Sequence, residues 1–148
     1  MTDDDLADLL PLVRGYCDFY EVGPSDEDLL ELSQALLSDP AREGVQLIAR
    51  DADGAAVGFA TVFWSWNTLV AGRIGIMNDL YVAPAARGTG TADELIQACV
   101  EECRLYGATS LDWQTATDNA RAQRVYERVG ATRSEWIDYS LPLRAETS

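Results

Sequence analysis

The chain is 148 residues long and 47% apolar, enough for one domain with a buried core, here taken as residues 1–148. It has no histidine and no lysine, and 25 acidic residues face 11 arginines, for a formal charge of −14. These absences exclude histidine triads, histidine-ligated metal centres, lysine Schiff bases and the Walker phosphate loop; the charge opposes nucleic acid.

The opening MTDDDLADLL is acidic and lacks the basic start of a signal peptide. No apolar run approaches the ~18 residues of a membrane span. Cys17, Cys99 and Cys103 imply no disulfide framework; they read as reduced core thiols, which predicts a cytoplasmic address. Helical spacing of Leu6, Leu9, Leu10, Val13, Tyr16, Cys17 and Tyr20 predicts a helix from Asp3 to Tyr20, kinked or divided at Pro11. Ser25-Asp26-Glu27-Asp28 predicts the start of a second helix that runs to about Leu37.

Val45 to Arg50 and Ala56 to Trp66 read as strands joined at Asp53-Gly54, a hairpin signal. Arg73 to Val82 is a third strand, ended by Ala83-Pro84. A helix follows from about Thr91 to Tyr106, with Gly107 as its stop, and Thr91-Ala92-Asp93-Glu94 fits a capping box. Ser110 to Ala116 predicts a strand, Asp118 to Val129 a helix, and Arg133 to Leu143 a last strand or two. Meander strands followed by a β-α-β-α-β run predict an α/β chain of the α+β type, with a mixed, mainly antiparallel sheet and helices on both faces.

Arg87-Gly88-Thr89-Gly90-Thr91-Ala92 lies between a strand end and a helix start. Glycines there let successive N–H groups turn toward one point, and the helix end adds orphan donors and a positive dipole. An anion cradle and a plain tight turn both satisfy that pattern. The dinucleotide fingerprint is not completed, because Glu94 stands where its third glycine would be.

The Arg87–Ala92 stretch also matches Arg/Gln-x-x-Gly-x-Gly/Ala, and Asn119, Ala122 and Tyr126 match a later Asn-x-x-Ala-x-x-x-Tyr. In these motifs the sequence, from roughly Val45 to Leu141, resembles the GCN5-related N-acetyltransferases (GNAT). MNDLYV and DWQTATDNARAQRVYERVGA look like the family's fungal histone-and-polyamine and spermidine/spermine branch. The resemblance implies acetyl-CoA as cofactor, with its pyrophosphate on the amides of Arg87, Gly88, Thr89, Gly90, Thr91 and Ala92. It implies that the pantetheine arm lies along Leu80, Tyr81 and Val82, with Asn119 on the other side, and that the chain is a homodimer. The short strand with which such domains usually open has no counterpart here. Arg87, Arg121, Arg124 and Arg128 are the available positive charge, although Arg121 and Arg128 also fit an exposed helix face.

The implied reaction is direct attack of a primary amine on the acetyl thioester in a ternary complex. An alkylamine with pKa ~10.4 is neutral in only about one molecule in 2,500 at pH 7, so a base is needed. Tyr126 is the expected acid for the leaving thiolate, and a backbone N–H near Leu80 or Tyr81 the oxyanion donor. For the base, the relatives' glutamate is replaced by Asn78, which leaves Asp79, Asp112 or a water relay. Glu21, Asp26, Glu27, Asp28 and Glu31 would either attract a cationic acceptor or only favour a helix start. Trp64, Trp66 and Trp113 would either face an alkylammonium or pack. The acceptor expected is a small, cationic, polyamine-like amine, with no nucleic acid or membrane partner. Basic protein tails and a non-catalytic CoA-binding sensor are the alternatives.

Overall fold

The computed structural model describes residues 1–144. Two 3-10 turns occur among these residues, Pro84–Ala86 after the third strand and Asp3–Asp5, which leads into α1, Leu6–Phe19; α1 runs through Pro11 without dividing. Pro11 is exposed, and Leu9 and Leu12 form the buried stripe. Helix α2, Asp26–Ser38, starts at Ser25, whose side chain accepts from the Asp28 amide as an N-cap should. Strands β1 (Gly44–Arg50), β2 (Ala56–Asn67) and β3 (Gly72–Val82) form an antiparallel meander. The β1–β2 turn is organised by Asp51, whose carboxylate accepts from the Asp53 and Ala55 amides. Helix α3 is Thr91–Tyr106, and strand β4, Leu111–Asp112, pairs with β3 in parallel to give the sheet order β1-β2-β3-β4. Helix α4, Ala120–Arg128, completes the regular elements among the described residues. No helix among them is long and apolar enough to cross a membrane.

The two faces of β2 carry the two cores, because strand side chains alternate. Ala60, Val62 and Trp64 pack under Leu95, Ile96, Cys99 and Cys103 of α3. Phe59 packs under Leu9 and Leu12 of α1. This is the expected mixed sheet with helices on both faces. Burial pushes the Cys99 and Cys103 thiols up to about 12 and about 11, so both behave as apolar filling.

Two sequence expectations fail at the sheet's far edge. The strand predicted from Ser110 to Ala116 is regular only at Leu111–Asp112. The last strand predicted from Arg133 to Leu143 does not form: residues 131–144 have neither helix nor strand. The second failure follows from the first. A two-residue β4 offers a following strand almost no edge on which to pair.

Gly75 lets α3 pack tightly on β3. A methyl there would sit 2.6 Å from Cys103 Sγ and 3.1 Å from Val62 Cγ1. Gly75→Ala is therefore expected to destabilise the fold by about 1–3 kcal/mol. Urea unfolding of the two proteins checks this, and a loss under about 0.5 kcal/mol would show that the layer can yield.

Candidate active site

β3 pairs with β4 only through Gly75 and Ile76. Beyond Ile76 the two part, and a cavity of about 710 Å³ opens along β3. The parting coincides with a bulge. Thr61 pairs with Asp79 and Val62 with Met77, so Asn78 is the extra residue on β3. The cavity is lined on one side by Asn78, Leu80, Tyr81 and Val82, at one end by Arg87, Gly88, Gly90, Thr91 and Ala92, and opposite by Asn119 and Tyr126. One cleft thus gathers all the sequence-named cofactor residues except Thr89. Thr89 turns away, its hydroxyl donating to the Ala86 carbonyl and lying 2.9 Å from that of Thr91.

The glycine loop has the geometry of a cradle. Gly88 and Gly90 have φ of +79° and +85°, a region that favours glycine. A methyl on either would meet nothing within 4 Å, so the space over the loop is open. Gly90 is the N-cap of α3, and no side chain caps the helix. The capping box expected from Thr91 to Glu94 is therefore replaced by uncapped first-turn amides, which suit an anion. Arg87, Arg121, Arg124 and Arg128 all line the cleft. Arg128 is forked onto Asp93 at 2.7 and 3.0 Å, and Arg87 Nε donates to the Val82 carbonyl at 3.1 Å. These residues fit an anionic pyrophosphate cofactor.

Tyr126 lies half-buried on α4 with its ring edge-on to Trp113, centroids 5.3 Å apart. Burial raises its phenol above the ordinary range, and nearby Tyr20 adds to this. It is a protonated donor at neutral pH. Asn119 caps α4, its side-chain oxygen accepting from the Ala122 amide at 3.1 Å. Its amide nitrogen is the atom left for a ligand.

Asp79 is not a cleft-lining residue. It pairs with Thr61 on the α1 face of the sheet, and its carboxylate accepts from the Asn78 side-chain amide at 2.9 Å. The bulge breaks strand alternation here, which brings these two neighbouring side chains together. Asp112 is exposed on β4 and also lies outside the cleft lining. The acidic group at the start of α2 contributes no lining residue either, and Asp26 pairs with Arg14. Of the three tryptophans, only Trp113 reaches the cleft. Trp64 stacks on Tyr106 at 3.9 Å, and Trp66 carries Arg73 over its ring.

Sequence reasoning missed the aromatic rim. Tyr16, Phe19 and Tyr20 line the cleft from α1. Tyr16 donates to the bulged Asn78 carbonyl at 3.2 Å, and burial with the Asp79 charge raises its phenol strongly. The available signal was three aromatics on the last turn of one helix, of which the helical pattern absorbed Tyr16 and Tyr20 as core.

Comparison with known proteins bears on this geometry. Residues 9–131 match the acetyltransferase (GNAT) family. The chain belongs to that family. It is an N-acetyltransferase that uses acetyl-CoA. It is 32% identical, over 85% of its length and 83% of the relative's, to the uncharacterised N-acetyltransferase YhfO of Bacillus subtilis. It is 27% identical, over 78% of each chain, to an aminoglycoside N(6')-acetyltransferase type 1 of Klebsiella aerogenes. The crystal structure of a probable acetyltransferase superposes with a TM-score of 0.85 at 30% identity, covering 99% of this chain and 97% of that one. Aminoglycoside N-acetyltransferase AAC(6')-Iy, solved with CoA, shares the fold at a TM-score of 0.83 and 23% identity, over 97% and 91% of the chains. These sequence relatives are bacterial, which corrects the expected likeness to the fungal polyamine branch.

Were Tyr126 the acid for the leaving thiolate, its raised phenol would have a kinetic consequence. The group keeps its proton up to and beyond its ordinary pKa of about 10, while the acceptor amine loses its own. With an amine that is turned over, kcat/KM is expected to climb with pH toward about 10, with no fall from phenol ionisation below that. A descending limb below pH ~9 in the pH–rate profile would contradict the assignment.

Proposed function

We propose that the chain transfers the acetyl group of acetyl-CoA to the primary amine of a small cationic acceptor, by direct attack in a ternary complex. The observation that carries this is the gathering of three elements in one cleft: the uncapped start of α3, the unpaired stretch of β3 and the Tyr126 phenol. When bound, acetyl-CoA supplies the activated thioester. The amides from Arg87 through Ala92 and the cleft arginines hold its phosphates. The backbone of Leu80, Tyr81 and Val82 aligns the arm, and Asn119 holds it from α4.

Tyr126 Oη donates a proton to the departing sulfur. A backbone N–H of β3 beside the bulge, near Leu80 or Tyr81, serves the developing oxyanion. The amine is received at Asn78. Its amide nitrogen is committed to Asp79, so its amide oxygen is the atom left to accept from an ammonium. Asp79 behind it takes up the proton through water, an anchor and base acting at one remove. Aminoglycosides, for which some relatives are named, are small molecules with amines, and this supports a small acceptor over a protein tail.

Thiol release from acetyl-CoA over an amine panel tests the proposal. Tyr126→Phe is expected to lower kcat by about 10²–10⁴-fold, with a smaller effect on the KM for acetyl-CoA. Full activity in that variant would remove Tyr126 as the acid.

We further propose that the homodimer implied by the resemblance uses the carboxy-terminal stretch. Trp136, Ile137, Tyr139, Leu141 and Leu143 are each 80% or more exposed, and the neighbouring β4 edge is open. Each chain thus carries an unpaired apolar segment, which a second copy covers reciprocally. Light scattering is expected to show a dimer, and Trp136→Ser with Tyr139→Ser a monomer of similar melting temperature. A monomeric parent protein would overturn this.

A further inference from the structure

Resting on the acetyltransferase reading, we infer that the preferred acceptor is a single-amine compound with an aromatic or apolar body, not a polycation. The charge inside the cleft differs from that of the protein. In a chain of formal charge −14, the cleft is lined by four arginines and one carboxylate, Asp93, which is forked onto Arg128. Cofactor phosphates neutralise those arginines, and no acidic side chain of the lining remains for further ammonium groups. Of the carboxylates outside the lining, Asp79 accepts from the Asn78 amide and serves the one reacting amine, and Asp138 accepts from Gln114 at 3.1 Å to both oxygens. A second or third ammonium would be desolvated with no lining carboxylate to pair with, which is costly.

The wall that faces the bulge offers aromatic surface instead. Tyr16 and Tyr20 pack at 5.0 Å and Phe19 and Tyr20 at 5.1 Å, a contiguous patch across the cleft from Trp113. Phe19 and Tyr20 are 61% and 57% exposed although the sheet core lies one turn away. The helix that presents them ends at Glu21, a non-glycine residue at φ +57°. Its neighbour, the Val22 amide, closes the helix by donating to the Cys17 carbonyl at 3.0 Å. Such a rim covers one ammonium by cation–π contact and the rest of the molecule by apolar contact. The negative field of the whole protein still steers a monocation toward it.

Thiol release with 2-phenylethylamine, tryptamine, spermidine and kanamycin tests this on the full chain. The aryl amines are expected to exceed spermidine and kanamycin in kcat/KM by about 100-fold. Phe19→Ala and Tyr20→Ala are expected to raise the KM for 2-phenylethylamine about tenfold, well beyond any change in the KM for acetyl-CoA. Spermidine or kanamycin used as well as the aryl amines, or indifference to both substitutions, would overturn the inference. Calorimetric titration of 2-phenylethylamine into the CoA-loaded protein separates the two readings. Saturable binding weakened by Phe19→Ala, without turnover of any amine, would support the acceptor class while removing the catalytic reading. Failure to bind would overturn the acceptor class by itself.

Discussion

The architecture depends on one broken pairing. A β-sheet normally satisfies each strand on both sides, and β2 pairs with β3 from Gly72 to Val82, the bulged Asn78 apart. On its other side only Gly75 and Ile76 find a partner in β4. The backbone beyond is left without strand partners on that side, half-exposed to the cleft, where a ligand or water can take its peptide groups. The Asn78 bulge sits where the two strands part and turns β3 away from β4. The floor of the cleft is therefore a missing piece of sheet, and an extended amide-bearing arm has the chemistry to complete it.

The other elements make that gap useful. α3 is packed on β2 and β3 by Leu95, Ile96, Cys99 and Cys103, so its amino-terminal end is fixed at one mouth of the gap. Gly88 and Gly90 then let the chain enter the helix with its amides exposed. α4 closes the opposite wall, its capped start bringing Asn119, Ala122 and Tyr126 to the cleft. Tyr126 needs this burial, because it is what keeps the phenol a donor. Arginines concentrated in the cleft offset, locally, a negative charge spread over the rest of the surface. Whole-molecule charge and site charge thus have opposite signs and separate tasks: attraction of a cation at long range and retention of an anion at contact.

Behind the bulge lies a polar row that crosses the sheet. Gln46 donates to Thr61 at 3.1 Å, Thr61 stands opposite Asp79, and Asp79 accepts from Asn78. Gln46 and Thr61 are buried, and Gln46 Oε1 has no partner. α1 covers this row and contributes Tyr16, whose hydroxyl donates to the Asn78 carbonyl. Gly15 lets α1 approach, since a methyl there would lie 2.6 Å from the Tyr81 hydroxyl. The bulge is thereby held from both sides of β3, which gives the amine-receiving position a fixed geometry.

The sequence by itself determined whatever is local. Helical spacing placed α1, α2 and α3 to within a few residues, alternation and the hairpin signal placed β1 to β3, and the two motifs named the loop and Tyr126. Pro11 misled about a division in α1 because it lies on the exposed face, where the helix carries it in its interior at the loss of one backbone hydrogen bond and no packing. What tertiary structure alone decided is non-local. The register slip at Asn78 depends on β2, and it turned Asp79 away from the cleft and toward Asn78. The short β4 depends on what β3 leaves available, and it cost the predicted terminal strand its edge. The aromatic end of α1 reads as core by periodicity, and only the position of the sheet beneath it shows that the core ends one turn earlier. Spacing along a chain specifies which groups share a face; which faces meet, and where a sheet is left open, is decided by packing between segments far apart in sequence.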